Sequence, residues 1–419
     1  MIKETRINNS KFFLVWLINP FLSAVYLIKN LSNQSAILPF LLISFYFGFS
    51  FVVDPSSNAD SNRYAQDLVL VFENQPTFYN YIFANYLSEE GGELDLYQPL
   101  LTWFVGQITP DYRWLFSIYS MVFGFFWFKS ILLIREKLTD KLNLLPILVL
   151  LTIAVINPIW SINGVRMWTA IQIFFYGYLV YSLNKKRKMG WGYMILAMFV
   201  HFSLVFPLLL FFGFNLLPFK WLPALFVFYI GTYFIGELDL DFIRVQFEKL
   251  PSFMQSRQSY LSEAYIEGLQ YRANQSSWHV IWAKSFEQYA FMGMAIWIYI
   301  MARKRNFKNR ESVHNILSFT LFFGGIANLL TNVPSGGRFL VLSHMIIGMV
   351  FLFSYIQEVS LGSWRVFKLP FQFMLLFVIV FQIRMGLDYV GVSFFLGNPV
   401  LSVFSENNVP LIKLIKDIL

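Results

Sequence analysis

The sequence predicts an all-α polytopic membrane protein, and two observations carry that prediction. Hydrophobic residues fill 57% of the 419 positions and charged residues only 13%, against about a quarter charged in soluble domains. The apolar residues also gather in runs of roughly 20, the length that crosses a bilayer core as a helix. The formal net charge of +8 would suggest nucleic acid in a soluble chain. Here the excess sits in short loops, where it reports an inner leaflet, so no nucleic-acid partner is expected. The chain has no cysteine, which excludes a disulfide frame, a thiolate nucleophile and cysteine metal ligation. Its four histidines are scattered without ligand spacing, so neither a metal nor a cofactor is expected.

Taken in order, Lys3, Arg6 and Lys11 precede an apolar run from Phe12 to Ile28 that resembles a signal peptide but lacks a small-x-small cleavage site. It reads as retained. Asn19-Pro20 break it, leaving a kinked span and an interfacial helix both open. Spans follow near 36–53, 114–134, 143–160, 166–183, 221–236, 285–302, 313–331, 339–357 and 369–386. The run 97–108 is too short to cross and reads as re-entrant or interfacial. The run 191–218 is too long for one upright helix and too short for two. With these elements the expectation is a bundle of about 10–12 membrane helices.

Sidedness follows from the Lys/Arg distribution. The loops at Lys29, 135–141, 185–188, Lys220, 303–311 and 358–368 hold sixteen Lys/Arg and four Asp/Glu, so they are cytoplasmic. The segments 54–96, 237–284 and 386–419 carry most of the acids and are outer; 54–96 has eight Asp/Glu and one cation, Arg63. Both ends of 191–218 are then inside, which predicts a hairpin with His201 near its apex. The competing arrangement is one tilted span. That would leave Arg303-Lys304-Arg305 outside, against the positive-inside rule. No repeat or linker divides the chain, so residues 1–419 read as one membrane domain.

Candidate chemistry lies on the outer side. In a helix over 59–72, Asp60, Arg63, Tyr64 and Asp67 recur at i, i+3, i+4 and i+7, placing two carboxylates, a guanidinium and a phenol on one face. A carboxylate there can take a proton from a sugar hydroxyl, and the guanidinium can hold phosphate bidentately. A surface ladder that stabilises a loop helix is the alternative. Arg166 opens an apolar helix where it opposes the dipole, and so asks for an anion or a lipid headgroup. Arg338 repeats that pattern after Gly336-Gly337, whose backbone can approach a ligand or simply turn. His201 is an ionisable group in an apolar run, read either as functional or as a neutral ring satisfying a broken helix. Lys129 and His344 read as structural or interfacial, and Glu287 as a helix-dipole partner. Tyr260, Tyr265, Tyr271, Trp278 and Trp282 suit sugar faces or a membrane-interface belt.

Four short elements in this order resemble the EpsG family of exopolysaccharide polymerases, related in role to Wzy-type O-antigen polymerases. They are Asp-x-x-Arg-Tyr-x-x-Asp at 60–67, Asn-Gly-Val-Arg-x-x-x-Ala at 163–170, Phe-x-His-x-Ser at 199–203, and Arg-Phe at 338–339. The resemblance covers roughly residues 36–355. Ala59 stands where family members usually carry glycine, and Met167 where they carry glutamine. The resemblance implies a GT-C-like helical enzyme that joins oligosaccharides carried on polyprenyl diphosphate at the outer face of the bacterial inner membrane. It implies pathway partners as well, a flippase and a chain-length regulator. By the same match Asp60, Arg63, Tyr64, Arg166, His201 and Arg338 are the positions that carry over; the expectation is that Arg63, Tyr64, Asp67, Arg166 and Arg338 bind the substrate and that Asp60 or His201 takes the acceptor proton. A glycan transporter and an oligosaccharide ligase are the rival readings. Transport predicts charges along a midplane path and repeated halves, neither of which the sequence carries.

Overall fold

In a bilayer no water serves the backbone, so an apolar run must pair its own N–H and C=O groups and becomes a helix. The computed structural model describes residues 9–28, 34–57, 59–83, 95–138, 142–217, 221–235, 268, 271, 275–304, 310–333, 335–356, 365–405 and 408–418. These are helical nearly throughout, and the only β pairing among them is two isolated bridges, Phe51 with Val390 and Gly391 with Pro410. The loops predicted at Lys29 and Lys220 and most of 237–284, with Tyr260 and Tyr265, lie outside the described residues.

The first helices are α1 (Asn9–Ile18), α2 (Pro20–Ile28), α3 (Ile37–Phe49), α4 (Asp60–Asn74), α5 (Tyr97–Gly106) and α6 (Tyr112–Glu136). Then come α7 (Leu144–Ile156), α8 (Val165–Ser182), α9 (Arg187–Val200), α10 (Val205–Leu216) and α11 (Leu222–Gly231). The last long helices are α12 (Trp278–Lys304), α13 (Arg310–Leu330), α14 (Gly337–Ile356) and α15 (Arg365–Gly386). Among the described residues four stretches are long and apolar enough to cross a membrane: Tyr112–Glu136, Leu144–Ser182, Gly337–Tyr355 and Lys368–Gly386. With several shorter apolar helices beside them, the chain is an all-α polytopic membrane protein.

Leu144–Ser182 is not one rod. A 3-10 turn over Ile159–Gly164 interrupts it, and Asn157 lies back against α8, donating Nδ2 to the Trp168 carbonyl at 3.0 Å and accepting from Gln172 Nε2 at 2.9 Å. Two helices result, as the sequence predicts. The hairpin predicted for 191–218 is present too. His201 is extended (φ −149, ψ 116) and ends α9. Beyond it α10 descends again, because Phe211 packs on Trp191 and on Tyr181, each at 5.1 Å between ring centroids. Helix α5, ten residues and about 15 Å long, is too short to span. At the N-terminus Asn19 starts a new helix by accepting from the Leu22 N–H at 2.9 Å, while its Nδ2 bonds the Phe395 carbonyl at 2.8 Å.

One hydrophobic core gathers α7 to α15 and another gathers α1 to α4, much of α6 and the tail. Tyr97 and Trp168 pack against both cores, which marks the seam. Trp160 covers Gly386, Asn163 donates to the Tyr389 hydroxyl at 3.1 Å, and Phe206 meets Phe339 at 5.5 Å. These contacts draw the start of α8, the hairpin apex, the start of α14 and the end of α15 to one end of the bundle.

Close helix approach depends on missing side chains. A Cβ on Gly177 would lie 2.9 Å from the Gly190 carbonyl oxygen and 2.9 Å from the Met194 nitrogen, both backbone atoms of α9. Gly177→Val is therefore expected to separate α8 from α9 and destabilise the protein by about 1–3 kcal/mol. A thermal melt of the detergent-solubilised variant at the parental midpoint would refute this.

Candidate functional site

At that end the two residues before α5 are stitched to the hairpin apex. The Leu96 N–H donates to the Phe199 carbonyl at 3.1 Å, and the Phe202 N–H donates to Asp95 Oδ1 at 2.8 Å. Because His201 leaves the helical conformation, the N–H opening the next turn needs an acceptor, and Asp95 supplies it. His201 Nδ1 lies 3.0 Å from Oδ1 and 2.9 Å from Oδ2 of the same carboxylate. Asp95 is only 1% exposed.

Arg166, the second residue of α8, closes the cluster. Its Nη1 is 3.4 Å from Asp95 Oδ2, its Nε donates to the Tyr64 hydroxyl at 3.2 Å, and its guanidinium lies 5.8 Å from the centre of the Tyr64 ring. Burial by itself would raise the Asp95 carboxyl. The hydrogen bond and charge of His201, the Phe202 N–H and the Arg166 guanidinium outweigh burial and hold it below its ordinary 3.8. An ionised carboxylate only accepts, so His201 Nδ1 is the donor in this contact. Burial, opposed by the Arg166 charge, pushes the Tyr64 phenol up to about 12. It is neutral at physiological pH and serves to aim Arg166.

The face predicted on α4 divides. Arg63 and Tyr64 are consecutive and so about 100° apart around the helix; Tyr64 is buried, while the Arg63 side chain is 62% exposed and pairs with Asp60. Asp67 is half-buried, and burial raises its carboxyl against the charges of Arg63 and Arg166 and a hydrogen bond from Gln98. Arg166 and His201 thus meet on Asp95, Tyr64 joins them through Arg166, Asp67 lies in the field of Arg63 and Arg166, and Asp60 pairs with Arg63. Arg338 is the second residue of α14; its N–H donates to the Ser335 carbonyl at 3.5 Å, and its side chain makes no hydrogen bond or ion pair with any described residue. Contact is seen between Arg63, Arg166 and their acids, but none joins Arg338 to them.

Three residues escaped the sequence reading. Asp95 counted only as one acid of an acidic loop, although its place two residues before an apolar run is where a carboxylate needs a cation. Glu287 of α12 and His344 of α14, read as a dipole partner and a structural residue, pair instead: His344 Nδ1 lies 3.0 Å from Glu287 Oε1, and the imidazole is fully buried. One acid and one imidazole in separate apolar runs are the signal that finds such a pair. Among the described residues no three His, Cys, Asp or Glu side chains are grouped as metal ligands.

Fold and site together define a class: a helical membrane protein with a buried carboxylate, imidazole and guanidinium network at one end of its bundle. The chain belongs to the EpsG family, whose sequence model matches residues 76–393. The match includes Asp95, Arg166, His201, Glu287, Arg338 and His344, and begins after Asp67, later than the span the sequence resemblance covers. Membership supports a polysaccharide polymerase role in general. No curated protein and no solved structure matches the chain.

Proposed function

We propose that the protein is a glycosyltransferase that joins oligosaccharide repeat units carried on polyprenyl diphosphate, at the outer face of the bacterial inner membrane. The observation that carries this reading is the buried Asp95 holding both His201 and Arg166. In the reaction an acceptor hydroxyl oxygen attacks the anomeric carbon of the donor sugar. The carbon–oxygen bond to the diphosphate breaks, and the lipid diphosphate leaves with the bonding pair. His201 Nε2 takes the hydroxyl proton, its ring aimed by Asp95 at Nδ1. Asp60 is the weaker candidate for that base, because Arg63 already engages its carboxylate. Arg166 neutralises charge that grows on the leaving diphosphate, an interaction strongest in the transition state and so one that accelerates the step. Arg63 and Arg338 are proposed as further diphosphate contacts, and neither a metal nor a cofactor enters the scheme. A flippase would supply the lipid-linked units and a separate regulator would set chain length.

Lipid-linked glycans from a strain lacking the gene test the reading. Single repeat units accumulating on the lipid at the outer face are expected. Full-length chains trapped on the lipid would identify a ligase instead, and units held at the inner face a transporter.

A further inference from the structure

Asp60 also lines a cavity of about 420 Å³ whose wall includes none of Asp95, Arg166 and His201. Its size falls among ligand pockets, about 300–1,000 Å³. Its wall includes Asp60, Trp160, Asn163, Trp168, Glu287 and Gln382. Indole rings beside carboxylates and amides make a wall that is apolar in its faces and polar at its edges. Two of its polar groups lack a protein partner among the described residues. Asn163 donates Nδ2 to Tyr389, yet its buried Oδ1 has no donor. Glu287 engages His344 through Oε1, and nothing described engages Oε2.

Behind the cavity the His344 ring is wedged flat against Phe291, 4.2 Å between centroids and 7° from parallel. A ring so confined fixes the Glu287 carboxylate, since turning it would break the packing and the Nδ1 contact together. The carboxylate therefore stands preset in the cavity wall. A pyranose matches what remains: its C–H faces lie on indole, and a hydroxyl donates to Glu287 Oε2.

We infer that this cavity is a saccharide subsite for the glycan undergoing extension, with Glu287 as a hydroxyl-binding residue and His344 as its positioning residue. The inference rests on the polymerase reading. Asn163, Gly164 and Trp168 of its wall flank Arg166 in sequence, so a sugar held here would have its neighbouring ring near the reacting centre.

The test uses full-length protein in nanodiscs and, as probe, oligosaccharides of one to three repeat units cut from the producing strain's own polysaccharide. Binding is read from tryptophan fluorescence. Glu287→Gln removes the carboxylate and Val341→Phe fills the cavity from its wall; each is expected to weaken binding by about tenfold or more, the loss of one charge-assisted hydrogen bond or of the space itself. Size-exclusion profiles and melts matching the parent establish that each variant is folded. His344→Gln is expected to weaken binding as well, and Glu287→Asp to restore part of what Glu287→Gln loses, which general destabilisation would not do. Less than tenfold loss in either folded variant overturns the subsite. The two readings fail separately: a deletion strain that still makes full-length polysaccharide removes the polymerase assignment, whereas unaltered oligosaccharide binding removes only the cavity.

Discussion

Replacing Arg166 with alanine is expected to slow polymerisation by about 10²–10³, the usual loss when one preorganised group stabilising transition-state charge is removed. Two effects combine in this variant. The leaving diphosphate loses its cation, and Asp95, whose side chain is fully buried, loses a charged neighbour. Arg166→Lys separates them. Lysine keeps a positive charge for Asp95 but has neither the fork that grips phosphate nor the Nε that bonds Tyr64. Stability near the parent's with activity near alanine's is the outcome expected of lysine. The measurement is chain growth from purified lipid-linked repeat units, resolved as a ladder on a gel. Parental chain length and rate from Arg166→Ala would end the role given to this arginine.

Asp95→Asn is expected to have the second-largest effect, on activity and stability together. The amide preserves shape but not charge, so the His201 tautomer is no longer fixed and Arg166 is left without its counter-ion. Losing hydrogen bonds to a charged group costs about 1.5–3 kcal/mol. The pH dependence has a definite sign. The Asp95 carboxyl is held below its ordinary 3.8 in the folded protein, so its contribution is present above that value and is lost as pH falls through the lowered one. The gap in melting temperature between parent and Asp95→Asn should be full at pH 7 and should close only below about pH 4. A gap that is constant down to pH 3 would show that the carboxylate charge does not stabilise the network.

The spans and hairpins were legible in the sequence because each follows from a local rule. Fifteen or twenty apolar residues must be helical in lipid, Asn19-Pro20 must interrupt a helix, and a run with basic residues at both ends must return to its starting side. Arg166 and His201 were legible as charges out of place in apolar surroundings. Glu287 and His344 obey that rule only as a pair, since neither residue read singly shows its partner. The shared face assigned to Asp60, Arg63, Tyr64 and Asp67 was right about spacing and incomplete about direction. A four-residue arc is wide enough for Tyr64 to enter the bundle while Arg63 faces out.

The sequence by itself determined that this is an all-α membrane protein, where its chain turns, and which segments gather at one end. Composition and charge distribution suffice for that, since the bilayer acts on each segment separately. Only the tertiary structure decided which charges are partners. Asp95 meets His201 and Arg166 across 106 and 71 positions of chain, and Glu287 meets His344 across 57. Such pairings depend on how helices rotate and settle against one another, which interdigitation of two apolar cores fixes and no local pattern records.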